Sequence, residues 1–307
     1  MLELVRGYTA AALDAVERQE GAGSGAARIG VLSGDLTAFA ELLVASEPLR
    51  LALTDPTIPA AARSAVLEDL LSGRIGAEAL KVLTFVVAWE RADELPKTVE
   101  QLVEAVDLAH QGAEGAGRDP EETAVGRSGA LERLRGYAEW ELEAVTDPAE
   151  VDEIEDELFR LAHIVDDTKA LKDALTKREL PVSTRLAVVS DLLSGKVHGA
   201  TERLAGYVLR AGHLRDLGGA LGYVAELAAR ERGRRVAHVR VAAELSRGEE
   251  ERLSAALGRV VRRPVELRVT VDPAVIGGVE VQVGDTVIDG TLRHRLEQLR
   301  ETLLQRA

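Results

Sequence analysis

The chain of 307 residues contains no cysteine, which removes disulfide scaffolding, thiol catalysis and thiolate metal sites together. Six histidines and an aromatic content of 3% leave little for imidazole ligation, or for the stacking platforms on which bases and sugars are read. Long apolar runs are missing too. The longest, residues 82–89, falls well short of the roughly 20 residues that span a bilayer. The start, Met1-Leu-Glu-Leu-Val-Arg-Gly-Tyr8, carries an acid and no continuous apolar core, unlike a secretory signal. The expectation is a chain without a membrane span, reaching a membrane only through another protein. Positive charge is also scarce, since 38 Lys plus Arg stand against 52 Asp plus Glu for a net charge of -14. That balance repels phosphate backbones and argues against a nucleic-acid partner. What remains is 46% hydrophobic and 29% charged, a folded rather than a disordered profile. Abundant Ala and Leu favour helices.

The clearest feature present is a repeat. Residues 54–73 align without gaps on residues 176–195, with ten of 20 positions identical at an offset of 122. Upstream, residues 6–16 match residues 135–145 at six of 11 positions, at an offset of 129. Composition bias in Ala and Leu does not place Pro, Arg, Asp, Ser and Gly in register. The change in offset fits an insertion in the first copy around residues 21–27.

Each copy reads as a helical bundle of about 100 residues. Pro59 and Pro181 sit where a first-turn proline is tolerated. Gly73 and Gly195 follow the last apolar turn and can adopt the left-handed conformation that ends a helix. Between them Val66, Leu67 and Leu70, with Val188, Val189 and Leu192 in the second copy, recur at helical spacing and predict one buried stripe. Arg63 with Asp69, and Arg185 with Asp191, recur as well and read as a solvated face, with a partner contact as the other reading. Three glycines and a proline within residues 107–120 predict a linker, extended to residue 130. The acidic run 150–157 lacks the loop glycine and alternating ligands of a calcium hand and reads as a solvated helix face.

After about Gly233 the periodicity changes. Residues 236–242 and 265–271 alternate apolar and polar positions, as half-buried strands do. Between them Ser246-Arg-Gly-Glu249 is a capping box opening a helix that carries Leu253, Leu257, Val260 and Val261. Residues 279–283 and 286–288 flank Gly284-Asp285, a two-residue hairpin signal. A final helix is predicted from about Thr291, with Leu292, Leu296, Leu299, Leu303 and Leu304 on its apolar side. The expected fold is therefore mainly α: two homologous helical-bundle domains (1–106 and 131–232, joined by the linker 107–130) followed by a small α+β C-terminal domain (233–307). Acidity is confined to the helical part, since residues 231–307 hold 14 Arg against 12 acids. The basic cluster 230–235 reads first as an interdomain connection and second as a contact for an acidic protein surface.

Catalytic motifs are absent. Ser194-Gly-Lys196 has neither the earlier glycine nor the following hydroxyl residue of a phosphate loop. Gly277-Gly278 precedes a strand rather than a helix, against a dinucleotide site. His238 and His294 accompany no serine elbow or zinc spacing. The expectation is no enzyme, no catalytic, cofactor or metal residue, and no cofactor.

Residues 269–290, followed by the leucine-rich segment, closely resemble the C-terminal signature of the delta-subunit family of bacterial F-type ATP synthase, relatives of mitochondrial oligomycin-sensitivity-conferring protein. Asp272, Gly277, Gly278, Val281, Gly284, Ile288, Asp289, Gly290 and Leu292 fall at the family's positions. The glycines suit a tight entry, a turn and a strand-to-helix corner. Tyr8 with Leu13, and Tyr137 with Leu142, resemble the family's first helix. Most members have one N-terminal helical domain; the duplicated form is typical of actinobacterial enzymes. The resemblance implies a structural stator subunit of the peripheral stalk, one copy per complex, on the cytoplasmic face of the bacterial cell membrane. The helical domain, taken as residues 131–232, would bind the alpha subunits and the C-terminal domain the b subunits. The competing expectation is a general helical adaptor unrelated to the synthase.

Overall fold

The computed structural model describes residues 2–18, 25–114, 125–177, 180–211, 216–261, 265–272, 275, 277–283 and 286–289. The first copy holds α1 (Leu2–Arg18), α2 (Gly25–Ala45), α3 (Glu47–Thr54), α4 (Ala60–Leu71), α5 (Ala77–Trp89) and α6 (Leu95–Glu114). The second repeats them in order as α7 (Arg127–Ala144), α8 (Pro148–Asp167), α9 (Lys169–Thr176), α10 (Val182–Leu193), α11 (Gly199–Arg210) and α12 (Leu217–Arg235). The duplication read from two short segments thus extends through six helices in each copy. The change of offset falls between the first and second helix of each, where the insertion was expected.

Helix boundaries follow local chemistry. Pro59 and Pro181 stand at the N-caps of α4 and α10. Gly195 closes the turn after α10 with φ +70, a conformation that costs an L-residue about 1–2 kcal/mol. Lys196 then donates to the carbonyls of Leu192 and Asp191 at 2.9 and 3.4 Å, so the residues that superficially suggested a phosphate loop terminate a helix. Helix α6 runs to Glu114 and α7 opens at Arg127. The expected linker 107–130 is therefore helical at both ends, and its middle, residues 115–124, lies outside the described residues.

Two expectations for the repeated helix need correction. Its buried stripe is Leu67 and Leu71 in α4, and Val189 and Leu193 in α10, whereas Val66 and Leu192 are each 44% exposed. Arg63 is not on a solvated face: it is buried and donates to the Leu53 carbonyl at 3.0 Å. Arg185 repeats the bond to Leu175 at 3.4 Å. In each copy the guanidinium satisfies a carbonyl at the end of the preceding short helix, where intrahelical partners run out. Asp69 and Asp191 stay exposed.

Contacts group the chain into two compact units, Met1–Glu141 with Leu158–Val224, and Leu142–Glu157 with Ala225–Ala307. The second contains a four-stranded sheet of order β2-β1-β3-β4, built from β1 (Val236–Val241), β2 (Glu266–Val271), β3 (Val279–Val283) and β4 (Thr286–Asp289). β1 and β2 run parallel, connected through α13 (Arg247–Val261); the change of periodicity predicts the two strands and the helix between them, not their direction. β3 and β4 pair antiparallel with Val283 opposite Thr286, the register of a two-residue turn. Ala237, Val239, Val241, Leu257, Val265 and Val281 form the hydrophobic cluster between this sheet and α13, with Leu253 and Leu267 against it. The capping box forms in part: the Ser246 N–H donates to the Glu249 carboxylate at 2.8 Å, but the Ser246 hydroxyl donates to the same carboxylate. The side chains of Val260 and Val261 and the predicted helix from Thr291 lie outside the described residues.

Within the same unit, the acidic run on α8 meets the basic cluster. Arg232 pairs with Asp152 at 3.3 Å and with Glu155 at 3.1 Å. One arginine of the cluster thus finds acidic partners within the chain.

Candidate functional site

Among the described residues no group of three or more His, Asp or Glu side chains could hold a metal ion. The features with built geometry are therefore faces between helices. The most developed joins the two copies, through α1 and α5 of the first and α7 and α11 of the second. It starts from glycine. Gly7 lies so close to α7 that a methyl group there would overlap the Arg133 carbonyl, and a methyl on Gly136 would overlap the Leu4 carbonyl of α1. Gly7 and Gly136, like Leu4 and Arg133, are equivalents at the offset of 129. The contact is thus reciprocal, as in a two-fold dimer interface.

Aromatic rings flank this crossing. Tyr8 stacks on Phe85 with centroids 3.7 Å apart and planes within 7°. Its equivalent, Tyr137, stacks on Tyr207 at 3.9 Å and 10°. Trp140 of α7 meets Tyr8 edge-on at 5.1 Å, and the Lys81 ammonium of α5 lies 3.9 Å above the Trp140 ring. Arg135 lies over Trp89 at 4.7 Å. Such cation–π contacts each contribute about 0.5–2 kcal/mol, more as water is excluded. The chain has two tryptophans, and both sit across this contact.

Charges complete it. Asp14 of α1 accepts from the Tyr137 hydroxyl at 2.7 Å and pairs with Arg210 of α11. Glu3 of α1 pairs with Arg133, whose side chain is 1% exposed. Glu141, at 2% exposure, receives Arg203 at 2.8 Å and Arg18 of α1 at 3.2 Å. Burial, then the Asp14 and Glu141 carboxylates, push the Tyr137 hydroxyl well above its ordinary range. Burial pulls the Arg210 guanidinium down, but Asp14 and the neighbouring tyrosines outweigh it and the net direction is up. Both groups hold their protons at neutral pH.

A second face belongs to the later copy. Leu161 and Val165 of α8, Leu171 and Leu175 of α9, and Val189 and Leu192 of α10 line a small apolar space among the helices. Its enclosed space, about 20 Å³, is far below the roughly 300–1,000 Å³ of a small-molecule site. Phe159, Ile164 and Leu192 are exposed large apolar residues on this copy.

The residues singled out for the C-terminal signature gather in part. Asp272 follows β2, donates its N–H to the Val241 carbonyl at 2.8 Å and accepts from Arg240 at 2.6 Å. Arg240 also reaches Glu280 of β3 at 2.8 Å. Gly277 and Gly278, at φ +64 and +80, enter β3 in the left-handed region that glycine adopts freely. Asp272, Gly277 and Gly278 thus share the β2–β3 connection, and Asp289 pairs opposite Glu280 on β4. Gly284 and Gly290 lie outside the described residues, as does His294. His238 is exposed on β1.

Sequence reading missed the contact between the copies. Its signal was the Arg-Gly-Tyr shared by residues 6–8 and 135–137. Glycine inside a helix costs about 1 kcal/mol relative to alanine, so a mid-helix glycine in both copies asks for close packing.

A helical bundle used twice, with reciprocal contacts between the copies, followed by a small α+β module is the architecture the described residues define. The family described as ATP synthase delta (OSCP) subunit matches residues 5–115 and 135–303. An ATP synthase subunit delta from Salinispora arenicola (strain CNS-205) is 36% identical over 280 residues, 91% of this chain and 90% of that protein. One from Parafrankia sp. (strain EAN1pec) is 35% identical over 284 residues, covering 92% and 90%. One from Streptomyces griseus subsp. griseus is 34% identical over 269 residues, 87% of each. The chain belongs to the ATP synthase delta (OSCP) subunit family.

Proposed function

We propose that the chain is a structural stator subunit in the peripheral stalk of a proton-translocating F-type ATP synthase, with no catalytic step of its own. One observation carries this reading: the family match runs through both helical copies and the C-terminal module, at similar length to the relatives. A general adaptor unrelated to the synthase leaves that match unexplained. In this reading the domains are 1–106, 131–232 and 233–307. One copy per complex serves peripherally on the cytoplasmic face of the membrane; among the described residues no single helix is long and apolar enough to cross it.

The second helical domain, 131–232, takes the amphipathic N-terminal segments of alpha subunits, and the C-terminal domain joins the b subunits. The exposed apolar side chains Phe159 and Ile164 of α8 and Leu192 of α10 support the first assignment, because the apolar face of an amphipathic helix docks on such side chains. Asp272, Gly277, Gly278, Gly284, Asp289 and Gly290 serve as structural residues of the C-terminal module. Mechanically, the subunit holds the catalytic head to the stalk against rotor torque, which requires extensive contacts and low compliance rather than bond chemistry.

Co-purification of the full chain with alpha and b subunits, followed by cross-linking mapped to residues, tests the reading. Cross-links from alpha to 131–232 and from b to 233–307 are expected. Association with neither subunit overturns the stator role in favour of the adaptor.

A further inference from the structure

We propose that the two helical copies form a permanent internal dimer, each using the face around its first helix as the binding surface for the other, so that this face is closed to outside partners. Three observations carry it. First, the glycine crossing brings helix backbones together with no space for a methyl group at Gly7 or Gly136, which leaves no layer for water or another chain. Second, the covering groups are supplied by the opposite copy. Trp140 is 6% exposed with Tyr8 at its edge and Lys81 above its ring, so separation uncovers it. Third, separation would strip Glu3 from the buried Arg133, Arg18 from Glu141, and both Tyr137 and Arg210 from Asp14. Separation would break these charge-assisted bonds and expose the apolar rings to water, and buried Trp, Tyr and Arg are the residue types that dominate interface energies.

The consequence is a division of labour among surfaces. Equivalent faces of α1 and α7 consume one another, and the tandem behaves as one body where they meet. Partners of the helical part engage faces away from this crossing. The closure stands on the geometry alone; its bearing on head binding rests on the stator reading.

The two tryptophans supply the test. In the full chain carrying Trp89→Phe, Trp140 is the sole indole. We expect blue-shifted emission and protection from acrylamide, with a helical circular dichroism spectrum. Emission and quenching of a solvated indole in the folded chain would overturn the proposal. Adding Gly136→Leu should shift emission to the red and restore quenching; a Trp140 that stays protected in a variant of unchanged stability counts against the crossing. If that variant fails to fold, the Trp89→Phe chain alone decides. A fluorescein-labelled peptide of the alpha-subunit N-terminal segment, bound at saturation by anisotropy, should leave Trp140 emission and quenching unaltered. A change on binding shows that the face opens and overturns its permanence. Absence of peptide binding counts against the alpha assignment, while Trp140 protection still upholds the internal dimer.

Discussion

The Tyr137 hydroxyl donates a 2.7 Å hydrogen bond to the carboxylate of Asp14, 123 positions earlier and in the other helical copy. The same carboxylate pairs with Arg210, and the Arg210 guanidinium lies 5.2 Å from the ring centroid of Tyr207, on which Tyr137 stacks. One acid thus ties α1 to both α7 and α11.

Replacing Tyr137 by Phe keeps the stack on Tyr207 and removes one hydrogen bond to a charged group. A loss of about 1.5–3 kcal/mol is expected. Asp14→Ala should cost more, about 3–5 kcal/mol, because it leaves Arg210 largely buried without its acid. Urea midpoints of the two full-length variants check the order; an Asp14→Ala chain as stable as Tyr137→Phe would refute it.

The pH dependence has a definite sign. The folded Tyr137 hydroxyl titrates well above its ordinary value of 10.0, through burial first and then Asp14 and Glu141. The unfolded chain therefore releases that proton first as pH rises. Its stabilising contribution is complete below pH 10.0 and is lost as pH climbs from there towards the folded value. Unfolding midpoints measured from about pH 8 to 11 should fall more steeply for the parent than for Tyr137→Phe.

Two glycine-to-alanine changes should have opposite signs. Gly34 is exposed within α2, and a methyl there meets nothing within 4 Å, so Gly34→Ala should stabilise by about 0.5–1 kcal/mol. At Gly136 the methyl overlaps the Leu4 carbonyl, and overpacking of about 1–3 kcal/mol outweighs the helix-propensity gain. Thermal melts of the two variants should move in opposite directions from the parent.

Arg63→Ala removes the buried donor that satisfies the Leu53 carbonyl at 3.0 Å. A cost of about 1–3 kcal/mol follows from leaving that acceptor unsatisfied. Arg185→Ala should cost less, since its bond to Leu175 is 3.4 Å long and the arginine is only part-buried. Equal losses in chemical denaturation would contradict this ranking.

Much of this protein could be read without coordinates because its signals are local. Pro59 with Gly73, and Pro181 with Gly195, bracket their helices by backbone sterics. The alternation in 236–242 and 265–271, and the turn residues after Val283, specify strands and a hairpin through the two-residue period of a sheet. Other readings failed because polarity does not report burial. Arg63 looks like a surface residue until the Leu53 carbonyl is placed beside it. Val66 and Leu192 look like core residues until the helix is rotated to its observed packing.

By itself, then, the sequence determined that one helical design is used twice and followed by an α+β module, because caps, breakers and periodicity act over a few residues. Its signature residues also pointed to the family. Only the tertiary structure decided what the second copy does for the first. Helical periodicity identifies an apolar stripe but not its partner. The pairing of Gly7 with the Arg133 carbonyl, and of Gly136 with the Leu4 carbonyl, arises from backbone proximity between residues far apart in the chain, where no local preference acts.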